Sequence, residues 1–294
     1  MIYLIDASIF IFRAWFSIPD TMIDQSENPV NAVYGYARFL SEFLESVQPD
    51  FVASAFDAKS GTNFRNEIYP DYKGNRDPTP PELQRQFQQC REITRALGIM
   101  DCSDMNFEAD DLIGTMAAGM REAGHCVTIL SRDKDLLQIL QAGDIFWDYA
   151  GNRKVRYDQV PDSLGVRAEQ VVDFLALAGD SVDNIPGAPG VGPKTASALL
   201  EYFDSIDELY ANLDKVADLP VRGAGKLGAR LAEHKDKVTM SRQLSQIRYD
   251  APVESHEEAL ARQVPDLEGL YSLYDGVGFG DGLRRQAQRI VNMF

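Results

Sequence analysis

Short apolar runs at 2–6, 51–56, 126–130 and 145–149 punctuate the first half of the chain. Each has strand length, and longer helix-like segments at 30–47, 81–97 and 109–123 separate most of them. That alternation predicts an α/β fold, with a mainly parallel central sheet flanked by helices. Pro78, Pro80 and Pro81 break the chain before a helix starting near Glu82, since proline suits a first helical turn. Residues 58–80 are polar, aromatic and basic, a composition suited to a long functional excursion over the sheet. Beyond about Val171 the pattern turns mostly helical. There "NIPGAPGVGPKTASALL" uses Gly187, Gly190 and Gly192 for tight backbone, and Pro193 to open a helix. Two regions are therefore expected, 1–170 and 171–294, with no internal repeat or low-complexity segment.

Composition narrows the class. The chain has 294 residues, 45% hydrophobic and 25% charged, enough for a real core and unlike a disordered chain. No apolar run reaches membrane-spanning length. The opening "MIYLIDASIFIFRAWF" is interrupted by Asp6, has no preceding Lys or Arg and no small-residue cleavage site after it. It reads as a first strand and its following helix rather than a signal peptide. Cys90, Cys102 and Cys126 make no CxxC pair, nor any zinc spacing with His125, His234 and His256. A reduced, cytoplasmic protein is expected.

The formal charge of −16 argues against nucleic-acid binding only as an average. Seven basic residues (Arg222, Lys226, Arg230, Lys235, Lys237, Arg242 and Arg248) cluster against only Glu233 and Asp236. Lys59, Arg65, Lys73 and Arg76 form a second, looser group. Either could be a solvated helix face.

The acids carry more information. Asp6 ends the first expected strand, Asp57 follows the second and Asp133 follows the third. Functional groups gather at the carboxyl ends of parallel strands, although a single such Asp is ordinarily a cap or turn residue. "FEADDLIGT" places Glu108, Asp110 and Asp111 where a core helix begins. They gain there from the helix dipole yet repel one another, by roughly 4 kcal/mol for charges about 4 Å apart at an effective dielectric near 20. Asp133 and Asp135 in "SRDKDL" can converge, and Asp180 and Asp183 in "GDSVDN" are spaced to share a helical face. Nine carboxylates in this pattern point to two or more hard cations, Mg²⁺ or Mn²⁺, and to phosphodiester hydrolysis.

With these motifs in order, the chain resembles the 5′-nuclease (flap endonuclease) superfamily over nearly its whole length. The likeness runs through "LIDAS", "FDAKSGTNFRNEIYPDYKGNR", "FEADD", "SRDKDLLQ" and "LAGDSVDNIPGAPGVGPKTA". Within it, the chain is similar to the bacterial 5′→3′ exonuclease module of DNA polymerase I and its stand-alone relatives. With no polymerase region after 294, the free-standing form is expected, working as a monomer beside a separate polymerase. The resemblance implies a PIN-like nuclease core, a helical arch over about 58–100 and a C-terminal helix–hairpin–helix. Asp6, Asp57, Glu108, Asp110 and Asp111 match the family's inner metal group. Asp133, Asp135, Asp180 and Asp183 match the outer one. Lys73 and Arg76 match the arch's basic residues, and Tyr72 its aromatic one. These suit transition-state charge and the stacking of an unpaired base respectively.

"GAPGVGPKTA" resembles the hairpin that grips duplex DNA, so Gly190, Val191, Gly192, Pro193, Lys194 and Thr195 are the expected phosphate contacts. The likeness also implies a K⁺ ion on the carbonyls of Leu177, Ala178, Pro186, Ala188 and Val191. The expected substrate is DNA with a 5′ single-stranded flap or end, with no membrane involved. Setting the nine ligands aside leaves 29 basic residues against 36 acids, a residual acidity that DNA binding does not explain. Two other readings stay open: a PIN-type ribonuclease, and a non-catalytic protein that recognises branched DNA. An aspartyl-nucleophile phosphatase fits poorly, because Ala7 and Ser8, not a second Asp, follow Asp6.

Overall fold

β1 (Ile2–Asp6) runs parallel between β2 (Phe51–Ala55) and β4 (Val127–Leu130), pairing Ile2 with both Phe51 and Val127. β3 (Met100–Cys102) extends the sheet beyond β2, and β5 (Ile145–Asp148) and β6 (Arg153–Arg156) extend it beyond β4. The order is β3-β2-β1-β4-β5-β6, so the chain's direction of travel across the sheet reverses between β1 and β4. A crevice opens outside the carboxyl ends at such a switch point. The computed structural model describes residues 1–58, 63–221 and 223–294; Lys59 and Arg222 lie outside the described residues.

Successive strand residues face opposite sides, and both sides are covered. Ile2, Leu4 and Ile129 join a core with helix α5 (Ala109–Glu122), whereas Ile5, Val52 and Leu130 join one with α1 (Ala7–Ser17), α2 (Asn31–Val47) and α4 (Pro81–Ala96). A short α3 (Phe64–Ile68) lies in the excursion between β2 and α4. Two details make the α1–α2–α4 layer specific. Gly35 lets α2 approach α1, since a Cβ there would lie 2.5 Å from that of Ala14. Buried Gln86 of α4 accepts from the Ala32 and Val33 amides (2.8 and 3.2 Å), serving the donors of α2 that N-cap Val30 cannot satisfy.

The remaining helices are α6 (Val160–Leu164), α7 (Val171–Ala178), α8 (Pro193–Tyr202), α9 (Ile206–Ala211), α10 (Ala224–Glu233), α11 (Lys235–Ser245), α12 (Glu257–Leu260), α13 (Leu267–Gly276) and α14 (Asp281–Val291). The side chains of α7, α8 and α10 continue the core of α5.

The structure adds to the sequence reading in three places. β3 has only three residues, and β6 is an antiparallel edge strand whose "RKVR" buries Val155 alone. Neither carries an apolar run, and cations on an edge discourage further strand pairing. The stretch 81–96, expected within the arch, is a core helix that buries Leu83, Phe87, Cys90 and Ile93. The expected division at 170 and 171 does not confine the packing. The Arg262, Gln263 and Asp266 amides bond the carbonyls of Asp50, Gly98 and Ala96 (2.8, 2.9 and 2.8 Å). α13 and α14 then pack with α2 and α4. Among the described residues no helix is long and apolar enough to cross a membrane.

Candidate active site

Asp6 ends β1 and leads directly into α1; it is buried and accepts a 2.8 Å bond from Ser131 Oγ, just beyond β4. Asp57, two residues past β2, accepts from Ser8 Oγ (2.8 Å) and from the Ala109 amide at the start of α5 (3.0 Å). Glu108 is the N-cap of α5, as the change from charge to apolar residues in "FEADDLI" predicts. Asp133 caps a 3₁₀ turn over Lys134–Ile139 and accepts from the Asp135 amide at 3.0 Å. Asp180 and Asp183 do not share a helical face. They lie on a turn closed by paired Asp180–Ile185 backbone bonds of 2.9 and 2.7 Å, because Gly179 at φ 73° ends α7.

The field of this crevice is strongly negative. Burial, then Asp57, pushes Asp6 up to about 8. Asp110 is raised well above the carboxylate range by burial and by Asp133, Asp6, Glu108 and Asp57. Burial also raises Asp133, and it raises Asp135 well above its usual value with Asp133, Asp180 and Asp183 adding to the effect. The acids of five separate segments therefore sense one another's charge. Among the described residues no group of three or more His, Cys, Asp or Glu has closed to a geometry that could hold a metal ion.

Cations from the excursion engage two of these acids. Lys73 lies 2.7 Å from Glu108 and 3.5 Å from Asp183, and Arg76 also pairs with Asp183. Burial alone would lower the Lys73 pKa, but the two carboxylates raise it above the ordinary lysine value. For Glu108 burial works upward, and Lys73 and Arg65 outweigh it to hold the group below the usual range. The segment is latched to the acidic turn by its backbone as well. The Lys73 amide donates to Asp183 O, Asn75 Nδ2 to Ser181 O, and Asn184 Nδ2 to Asp71 O (2.9, 2.7 and 2.7 Å). An open cleft of about 270 Å³ lies alongside, and its lining includes Asp57, Lys73 and Glu108 together with Phe12, Met105 and Phe107.

Two expected roles change. Tyr72 presents no stacking face. It is 5% exposed, its ring packs with Ile185 and Leu244, and its hydroxyl lies 3.2 and 3.1 Å from Glu108 and Asp183 carboxylate oxygens. Asp111 is not available to a metal ion. It is fully buried, and Arg65 grips both its oxygens at 2.7 and 2.9 Å, while the Arg248 and Glu108 amides bond them as well. At consecutive positions of a helix, Asp110 turns to the crevice and Asp111 to the core. The sequence reading missed Arg65 as a partner, along with Ser8 and Ser131. Only the position of Arg65 in "NFRNEI", one residue from an aromatic, hinted at burial.

At the glycine-rich turn, Gly187 and Gly190 have φ of 61° and 74°, and α8 opens at Pro193. Gly190, Gly192, Pro193 and Lys194 are exposed, and Val191 is buried. A Cβ at Gly190 would meet the Arg230 guanidinium, which brings the basic α10 beside the turn. Of the carbonyls expected to hold K⁺, those of Leu177 and Ala188 accept the Ala188 and Val191 amides at 2.8 and 3.0 Å.

Comparison with known proteins identifies the chain. Residues 1–167 match the 5′-3′ exonuclease, N-terminal resolvase-like domain, and residues 166–268 match the 5′-3′ exonuclease, C-terminal SAM fold. It belongs to the 5′-3′ exonuclease family. DNA polymerase I of Bacillus caldotenax is 37% identical over 96% of this chain, yet the match spans only 32% of that enzyme. The chain thus corresponds to about a third of the length of its polymerase relatives. The 5′-3′ exonuclease of Buchnera aphidicola is 32% identical, covering 95% of this chain and 97% of the relative. Among solved structures, T5 5′-exonuclease with bound zinc superposes with a TM-score of 0.68 at 19% identity, covering 99% of this chain and 98% of that one. The catalytic core of Rad2 in complex with DNA substrate gives 0.64 at 15%, covering 98% and 90%. At these identities the superpositions speak for the shared fold.

The donor chemistry of the crevice, though not yet a closed ligand geometry among the described residues, suits the divalent metal implied by this family. Its donors are all carboxylate oxygens, the class preferred by hard cations. Burial first, and then the neighbouring carboxylates, raises Asp6, Asp110 and Asp135, so these acids lie close together in a partly desolvated crevice.

Proposed function

We propose that this 5′-3′ exonuclease family member is a metal-dependent, structure-specific nuclease that hydrolyses DNA at a 5′ flap or 5′ end. The observation that carries this reading is the gathering of Asp6, Asp57, Asp133 and Asp135 beyond the carboxyl ends of β1, β2 and β4 with Asp110 at the start of α5, beside Glu108 and Asp183 that hold Lys73 and Arg76. Asp6, Asp57, Glu108, Asp110, Asp133, Asp135, Asp180 and Asp183 would hold two or more Mg²⁺ or Mn²⁺ ions. When bound, such ions activate water and stabilise the leaving oxygen.

The protein's own groups do the rest. Lys73 and Arg76 leave their carboxylates for the scissile phosphate and offset charge that grows in the transition state. The amides of exposed Gly190, Gly192 and Lys194 and the side chains of Lys194, Lys226 and Arg230 grip the adjoining duplex through phosphate, without reading bases. A K⁺ ion on the hairpin carbonyls would extend that grip. Phe12, Met105 and Phe107 offer an apolar wall to a base that must leave its stack before cleavage.

The deciding experiment is cleavage of 5′-labelled flap, nicked-duplex and single-stranded DNA, each with Mg²⁺, Mn²⁺ or EDTA. Metal-dependent cutting at the flap or end is expected. Tight flap binding without cutting would favour a recognition protein, and preference for an RNA single strand would favour a PIN-type ribonuclease.

A further inference from the structure

Arg65 belongs to the basic excursion, where the simplest role for a cation is contact with DNA phosphate. Its side chain is only 3% exposed and its donors are committed inward. Nε donates to Leu244 O (2.8 Å), Nη1 to Asp111 Oδ2 (2.7 Å), and Nη2 to both Asp111 Oδ1 (2.9 Å) and Gln246 O (3.0 Å). The rings of Phe64 and Tyr72 lie 4.5 and 6.0 Å from its guanidinium carbon.

Three chain segments meet at this group. The first is α3, which leads to Lys73. The second is the N-terminus of α5, where Asp111 also accepts from the Glu108 amide and so sets the helix start on which Glu108 and Asp110 ride. The third is the chain leaving α11, which bonds Asp111 again through the Arg248 amide at 2.9 Å. α11 in turn holds the hairpin, because the Gly187 amide donates to Ser241 Oγ at 3.1 Å. A continuous run of bonds thus joins the glycine-rich turn to the start of the acidic helix, and its centre is the Arg65–Asp111 pair.

We propose that Arg65 is a positioning residue for cleavage. Without touching DNA, it fixes Glu108 and Asp110 against the helix that carries the hairpin. This inference rests on the reading of the acids as metal ligands. The role needs the planar fork of arginine, since a lysine would restore the charge without reaching two carboxylate oxygens and two carbonyls together.

The test compares wild type with Arg65→Lys and with the paired Arg65→Met/Asp111→Leu. The readouts are single-turnover flap cleavage, DNA affinity against salt, Mn²⁺ affinity of the DNA-free protein by electron paramagnetic resonance, and thermal melting. Arg65→Lys should cleave roughly 10²-fold more slowly, the scale of a 1 Å misplacement of reacting groups. It should bind Mn²⁺ less tightly, with DNA affinity and its salt slope unchanged. The paired variant removes both charges together but leaves the Glu108 and Arg248 amides and the Leu244 and Gln246 carbonyls without these partners, so it should stay folded, melt below wild type and cleave as slowly as Arg65→Lys.

A salt slope lowered by about one phosphate contact (roughly 0.7–0.9) in Arg65→Lys would make Arg65 a DNA ligand and overturn the proposal. So would wild-type cleavage by either folded variant. If wild type itself cut no 5′-ended DNA, the proposed activity would fail. The Mn²⁺ arm would still judge Arg65, and an unchanged affinity in Arg65→Lys would reject its role.

Discussion

Asp110 and Asp111 are chemically identical neighbours, and their substitution by Asn should shift stability in opposite directions. Asp110 faces a crevice in which Asp133, Asp6, Glu108 and Asp57 all oppose its charge. A like-charged carboxylate about 5 Å away costs about 3 kcal/mol at an effective dielectric near 20. Protonation relieves part of that cost near neutrality. Asp110→Asn should therefore stabilise the protein in EDTA at pH 8 by on the order of 1–2 kcal/mol, or roughly 2–8 °C in Tm. It should also remove cleavage and most of the Mg²⁺-induced rise in Tm.

Asp111 is fully buried against Arg65. Asp111→Asn removes the carboxylate that grips the guanidinium and, among the described residues, leaves only Glu108 at 3.8 Å, a loss of up to about 3–5 kcal/mol and roughly 6–20 °C in Tm. The fall should appear with or without metal. Differential scanning calorimetry of both variants, in EDTA and in Mg²⁺, reads all four values. An Asp110→Asn protein that melts below wild type in EDTA would refute the reasoning, because the carboxylate would then stabilise the fold without any cation.

Activity should require Mg²⁺ or Mn²⁺ and vanish in EDTA, with undiminished cleavage in chelator counting against a metal mechanism. Lys73→Ala should slow single-turnover cleavage by about 10²–10³-fold, the usual scale for one transition-state donor, with a smaller effect on DNA affinity measured by titration. Lys194→Ala with Lys226→Ala and Arg230→Ala should weaken DNA binding equally across sequences and flatten its salt dependence; loss confined to one sequence would mean base reading. The raised pKa values of Asp6, Asp110, Asp133 and Asp135 mean that the folded, metal-free protein retains protons that the unfolded chain releases above about pH 4. Their contribution to stability is full below that pH and is lost as pH rises through the raised values, about 8 for Asp6. Melts in EDTA from pH 5 to 8 should therefore show a falling Tm, and Mg²⁺ binding near pH 6.5 should release protons detectable by calorimetry in buffers of different ionisation enthalpy.

Much of the molecule was legible in one dimension because its information is local. The apolar runs that became β1, β2, β4 and β5 and the helices α2, α4 and α5 are written in residue patterns a few positions long. So is the placement of Asp6, Asp57 and Asp133 at strand ends, since a parallel sheet delivers every such end to one edge. Elements that depend on partners were not legible. β3 and β6 are strands only because a neighbour offers hydrogen bonds, and 246–266 returns to the sheet through backbone bonds indifferent to side-chain identity.

The same division runs through the site. Sequence supplied the residue types and spacing that make a cluster of acids, but charge pattern cannot say which way a carboxylate points. Asp111 belongs to Arg65 because α3, 46 positions earlier in the chain, packs a guanidinium beneath the helix start. Tyr72 is a buried bridge between Glu108 and Asp183 because the excursion folds down onto the acidic turn. Burial and ion pairing are set by which surfaces meet, and only the tertiary structure brings those surfaces together.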